Sequence, residues 1–113
     1  MTWDHPDSLD AIVAAPGSHR VVFENDAVRV LEVTVEPGVH EPEHTHRWPS
    51  VMVTDERARI RYFAGTELIF ESPDPLPDQP TPRANWLDPE GPHSVENIDT
   101  VRLHALRFEL KQG

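Results

Sequence analysis

The stretch Gly38-Val39-His40-Glu41-Pro42-Glu43-His44-Thr45-His46 decides how this chain is read. Extended backbone places side chains two apart on one face, so His44 and His46 point the same way with Cα atoms about 7 Å apart. Two imidazoles so placed can lean toward one cation at about 2.0–2.1 Å each, which adjacent positions cannot do. A third ligand has to come from elsewhere. The candidate is His93, in Pro89-Glu90-Gly91-Pro92-His93-Ser94-Val95-Glu96-Asn97, a Pro- and Gly-rich turn that opens onto a strand. By parity Asn97 shares the face of His93, where it either orients a ligand or satisfies nearby backbone.

Working outward, the chain reads as short strands. Twelve prolines disfavour long helices. Strands are expected over 21–24, 27–35, 50–53, 57–63, 67–70, 83–87, 94–98 and 101–110, each bounded by turn residues. One brief helix is expected near the start. There Leu9, Ile12 and Val13 recur at helical spacing, Asp7 or Ser8 offers a cap, and Pro16-Gly17 stops the run. Residues 72–82 hold five prolines and no periodicity, the mark of a surface loop. Regular turns between short strands point to an antiparallel sandwich or barrel.

Composition narrows the partners. A chain of 113 residues makes one domain with a core that needs no external staples. It has no Cys, which excludes a disulfide scaffold, a thiolate metal site and a cysteine nucleophile. Ten Lys+Arg against twenty Asp+Glu give a net charge of -10, so nucleic acid and anionic membrane surfaces are unfavourable partners. No apolar run approaches the roughly 20 residues of a bilayer helix, and MTWDHPDSLD lacks the features of a signal peptide. A soluble, cytoplasmic protein is the expectation.

The two histidine segments resemble the paired motifs of the cupin superfamily, the RmlC-like jelly rolls. The first motif, G-x5-H-x-H-x3,4-E-x6-G, is matched by Gly38, His44 and His46. The second, G-x5-P-x-G-x2-H-x3-N, is matched by Pro89, Gly91, His93 and Asn97, although one residue rather than two separates Gly91 from His93. The resemblance implies an all-β double-stranded β-helix (jelly-roll) barrel with one short N-terminal helix. That would be a single cupin domain over 1–113, with its barrel core at about 21–110. It also implies a metal at His44, His46 and His93, inside the barrel mouth. The motif's glutamate is missing: Ser50 and Val51 stand where it should fall, and Ser50 has the inward parity. Two motif glycines are absent as well, near Arg57 and at Arg83.

Three neutral imidazoles leave a divalent ion its full charge and open positions for a chelating anion. Such a shell suits Fe(II), Zn(II), Ni(II) or Cu(II). The set is similar to the three-His sites of cupin-type thiol and β-diketone dioxygenases, which favours Fe(II). A metal-dependent oxygenase acting on a small chelating anion is therefore expected, with an isomerase or lyase as a subordinate version. The alternative is a non-catalytic cupin with a purely structural metal that binds a small molecule or partner.

Around the ion, Ser50, Trp48, Trp86, Tyr62 and Asn97 are the expected substrate pocket, though large aromatics in a small barrel also serve as packing. His104 is a candidate proton carrier if its face, shared with Leu106, Phe108 and Leu110, is the inward one. A core histidine bonded to backbone is the plainer account. Glu41 and Glu43 have the parity opposite to His44 and are expected to face solvent or a partner chain, while His40 is placed at the pocket rim. Arg57, Arg59 and Arg61 form a cationic stripe on an outer face, at a subunit contact, or on a carboxylate. Open sheet edges make a homodimer the default assembly.

Overall fold

Segments such as Arg57 to Tyr62 alternate side chains with a period of two, and turn residues cut the chain into short pieces that pair as strands. The computed structural model describes residues 3–111. These form β1 (His19–Glu24), β2 (Val28–Val35), β3 (His44–His46), β4 (Ser50–Glu56), β5 (Ile60–Ala64), β6 (Glu67–Glu71), β7 (Arg83–Leu87), β8 (Glu90–Asn97) and β9 (Leu103–Leu110). One antiparallel sheet has the order β1-β2-β9-β4-β7 and the other β3-β8-β5-β6. They face each other and enclose a cavity lined from both sides. This is the double-stranded β-helix that the histidine motifs imply.

The N-terminal helix is shorter than the spacing suggests. A 3-10 turn over Asp7–Leu9 leads into α1 (Ala11–Ala14), and Pro16-Gly17 follows at once. Asp10, not Asp7 or Ser8, is the cap: its carboxylate accepts from the Ile12 amide at 3.4 Å. Ala11 then seals a small core with Leu31, Val33 and Ala105, against which Ile12 and Met52 pack.

β9 runs through the middle of the five-stranded sheet, and its parity is the reverse of the expectation. Ala105, Arg107 and Glu109 are buried and face inward. His104, Leu106 and Phe108 face out. The register joins Phe23, Val30, Phe108, Val51 and Trp86 in one apolar row across all five strands of the outer face. Phe23 and Trp86 at its ends are 54% and 56% exposed. Apolar residues here pave part of the outside, while the inside mixes an apolar lining of Leu31, Val33 and Ala105 with buried polar groups.

The Pro-rich segment lies against the arginine stripe. Arg57 donates to the Pro77 carbonyl at 2.7 Å and Arg59 to the Pro73 carbonyl at 3.1 Å. Arg61 instead bonds Glu71 at 2.8 Å. The stripe thus ties down a loop and a neighbouring strand. No helix among the described residues is long and apolar enough to cross a membrane.

Candidate metal centre

Gly38 reaches the first histidine segment through a backbone at φ +80°, a left-handed conformation that glycine adopts without strain. Beyond it His44, Thr45 and His46 are all buried. β3 pairs with β8 so that His44 faces His93 and His46 faces Glu90, with a bulge between. Two residues on β3 therefore span three on β8, and the bulge turns both Glu90 and His93 toward the histidines. Ring centroids of His44 and His93 lie 4.4 Å apart, and those of His44 and His46 5.1 Å apart. A fourth ring joins them: His19, the first residue of β1, sits 4.5 Å from His44 and 5.2 Å from His46.

The hydrogen bonds show which nitrogen each ring presents. Nδ1 of His44 donates to the Pro42 carbonyl at 2.8 Å, and Nδ1 of His93 to the Gly91 carbonyl at 2.7 Å. Nδ1 of His19 donates to the Ala15 carbonyl at 3.2 Å, and Nδ1 of His46 to Glu109 Oε2 at 2.8 Å. Carbonyl and carboxylate oxygens only accept, so each Nδ1 carries the proton and each Nε2 keeps its lone pair. No Nε2 of the four makes a hydrogen bond to another described residue. Four buried lone pairs without donors are what a cation would need, and the residues fit a metal.

The titration behaviour agrees. Burial, with His44 beside it, pushes His19 down to about 3, and burial with His93 nearby pushes His44 down to about 4. Burial also holds His46 well below the ordinary imidazole range and lowers His93. All four rings are neutral, as ligands must be. The ligand atoms fall into two overlapping groups, His19, His44 and His46 in one and His46, Glu90 and His93 in the other, each within 4.8 Å. The three expected ligands thus lie in one cluster, divided between two triples that share His46.

Glu90 brings a carboxylate to the histidine cluster, where the first motif has Ser50 and Val51 in its glutamate's place. Burial raises its pKa but the Arg107 guanidinium outweighs this, and the net shift is downward. Its Oε2 accepts from the Tyr62 hydroxyl at 2.7 Å and lies 3.6 Å from His93 Nε2. Glu41 is a further correction. It is buried, not facing solvent, with Oε2 accepting from Ser18 at 2.7 Å and Oε1 3.7 Å from His44 Nε2. Burial raises its pKa to about 7. Strand parity does not reach Glu41, because Pro42 separates it from β3.

Behind His46 lies a buried chain of charges. Glu109 Oε1 accepts from Arg29 Nε at 2.5 Å, and Arg29 forks onto both Asp10 oxygens at 3.0 and 3.1 Å. The chain fixes the His46 ring from outside the ion's reach.

Of the expected pocket residues, Tyr62 lines the cavity, stacked on His93 at 5.2 Å. The others do not line it. Ser50 is fully buried, with its hydroxyl unpaired, at the Glu109 position of the sheet. Trp48 lies beside Arg29, Arg47 and Lys111 at 5.1 to 5.6 Å. Trp86 is on the outer face and bonds Asp88, while Asn97 is spent on the Val35 and Val101 carbonyls and the Asp99 amide. His104 is likewise corrected: it lies on the outer face between Glu32 at 2.8 Å and Asp55 at 2.5 Å, away from the cavity. His40 is exposed, bonded to Ser94 at 2.8 Å, and Glu43 is exposed.

No protein-family model matches the chain, and no curated protein matches it significantly. Solved structures do. A cupin domain from Bordetella pertussis aligns with TM-score 0.68 and 17% identity over 83% of this chain and 92% of that one. An RmlC-like cupin family protein with a double-stranded β-helix fold from Methanocaldococcus jannaschii gives 0.57 and 8%, over 81% and 77%. The polyketide cyclase RemF from Streptomyces resistomycificus gives 0.57 and 18%, over 99% and 80%. The chain has the cupin fold, and inside it a histidine cluster suited to a metal ion.

Proposed function

We propose that the chain is a metalloenzyme acting on a small chelating anion, with an oxygenase on Fe(II) as the version to test first. The observation that supports this is volume. A cavity of about 260 Å³ adjoins the histidines, walled largely by apolar side chains such as Val33, Val35, Met52, Ile60 and Leu103. A metal kept only for stability is enclosed by its ligands, whereas a catalytic ion faces room for substrate. His19, His44, His46 and His93, with Glu90, would hold the ion, which would supply a Lewis acid and, if ferrous, a site for dioxygen. Tyr62 holds Glu90 in place, and the apolar wall excludes water from the reacting end.

Glu90 removes part of the case for a carboxylate-free shell, so a cyclisation, isomerisation or lyase reaction is the subordinate version. The polyketide cyclase among the structural neighbours adds to it. A non-catalytic cupin is favoured by one fact: four imidazoles and a carboxylate are donors enough to enclose an ion. Protein purified under low-metal conditions should carry one transition-metal ion per chain by mass spectrometry. With iron added, it should consume oxygen on some member of a panel of β-diketones, thiols and α-hydroxy acids, and His46→Ala should abolish both readouts. Unit zinc or nickel with no turnover of any compound selects the structural reading.

A homodimer is proposed through the outer face. Two copies each carrying a charge of -10 repel overall, which favours an uncharged contact, and the apolar row from Phe23 to Trp86 offers one.

A further inference from the structure

The five-stranded sheet buries two arginines on its inner face, Arg29 on β2 and Arg107 on β9, each 4% exposed. Arg29 is fully engaged, with its three hydrogen bonds going to Asp10 and Glu109. Arg107 is not. Its Nη2 lies 2.7 Å from Glu90 Oε1, but the approach is out of line, and Nε, Nη2 and Glu90 Oε1 are all left without a hydrogen bond. A buried guanidinium is costly unless its donors are matched; Glu90 offsets the charge, but the unpaired Nε has room for a further acceptor from the cavity. Arg107 lines the cavity beside the histidines.

We infer that Arg107 is the anchor for a carboxylate on the molecule that occupies the cavity. The planar fork of a guanidinium matches two carboxylate oxygens, and Nε, with no partner, together with Nη2, whose contact with Glu90 is out of line, forms the edge that such a group would take. Glu41 and Glu90 share the cavity, so a dianion such as phosphate meets two acids and is disfavoured against a single negative charge. The apolar walls take the rest of the molecule. The ligand class is therefore a monocarboxylate with a short aliphatic body, held at its acid end by Arg107. This rests on reading the cavity as a substrate site, but it needs neither a particular metal nor turnover.

The test is binding by calorimetry to the protein as purified, with its metal content measured alongside. The probes are 4-methylpentanoate, the neutral 4-methylpentanamide and inorganic phosphate. The acid should bind, while the amide and phosphate should bind at least about tenfold more weakly. Arg107→Gln should weaken the acid about ten- to a hundredfold with amide binding unchanged, compared at matched metal content because Arg107 also neighbours Glu90. Arg107→Lys, which keeps the charge and the ion pair with Glu90, covers the case in which the glutamine variant misfolds; it should lie between the two. Equal binding of acid and amide, preference for phosphate, undiminished acid binding in a folded Arg107 variant, or no acid binding to the wild type overturns the inference. Acid binding through Arg107 without metal or turnover would leave it standing while the metalloenzyme reading fails.

Discussion

The two faces of the five-stranded sheet distribute their polar groups differently: the inner one buries charges beside an apolar lining of Leu31, Val33 and Ala105, and the outer one carries an apolar row. Along β9 the inward residues include Arg107 and Glu109, and the outward ones are His104, Leu106 and Phe108. A sandwich normally hides its apolar face and wets its polar one. Here the interior holds a cluster of neutral imidazoles and charged partners, while an apolar row crosses the exterior. The difference teaches that polar groups are tolerated in this interior because most of them have named partners.

Substitutions on each face should separate the two roles. The largest effect is expected inside: His46→Ala, which removes the ligand common to both triples, should take metal from one ion per chain to none by mass spectrometry. Phe108→Ser on the outer face should leave that stoichiometry intact. Next, Glu109→Gln keeps the shape behind His46 but weakens the acceptor for its Nδ1 proton. Metal affinity should fall about ten- to a hundredfold in chelator competition. An unchanged affinity would show that the buried charge chain is only architectural.

The outer face is tested by Phe23→Asp with Trp86→Asp. Light scattering should report a monomer in place of a dimer, with metal content unaffected; a monomeric wild type would remove this role from the row. The smallest effect concerns His104. Its bond to Glu32, then that to Asp55, raises its pKa above the ordinary value. The raised value means that the protonated ring stabilises the fold below about pH 6.5 and that this contribution is lost as pH rises through the folded pKa. Stability by denaturant titration should therefore decline slightly on the alkaline side, and His104→Phe should erase that part of the decline. The pair lies near the surface, so added salt should shrink it.

The sequence makes the strands, the shared face of His44 and His46, and the approach of His93 legible, because those follow from a period of two and a spacing of motifs. The parity of β9 is not legible in the same way. Leu106, Phe108 and Leu110 satisfy the usual rule for an inner face, and only the demands of the centre reverse it. Glu90 escapes because three residues from His93 is the wrong parity in a regular strand, and the bulge opposite β3 corrects the count. His19 belongs to neither motif. Its one signal is its place at the start of a strand, in register with Val33, which faces the cavity.

The charge chain from Asp10 through Arg29 and Glu109 to His46 joins the start of the described chain to its last strand. Because β9 lies between β2 and β4, the strand that closes the middle of the sheet is also the one that brings the acceptor for the His46 ring. A chain without β9 would carry both histidine motifs but not the carboxylate that orients His46.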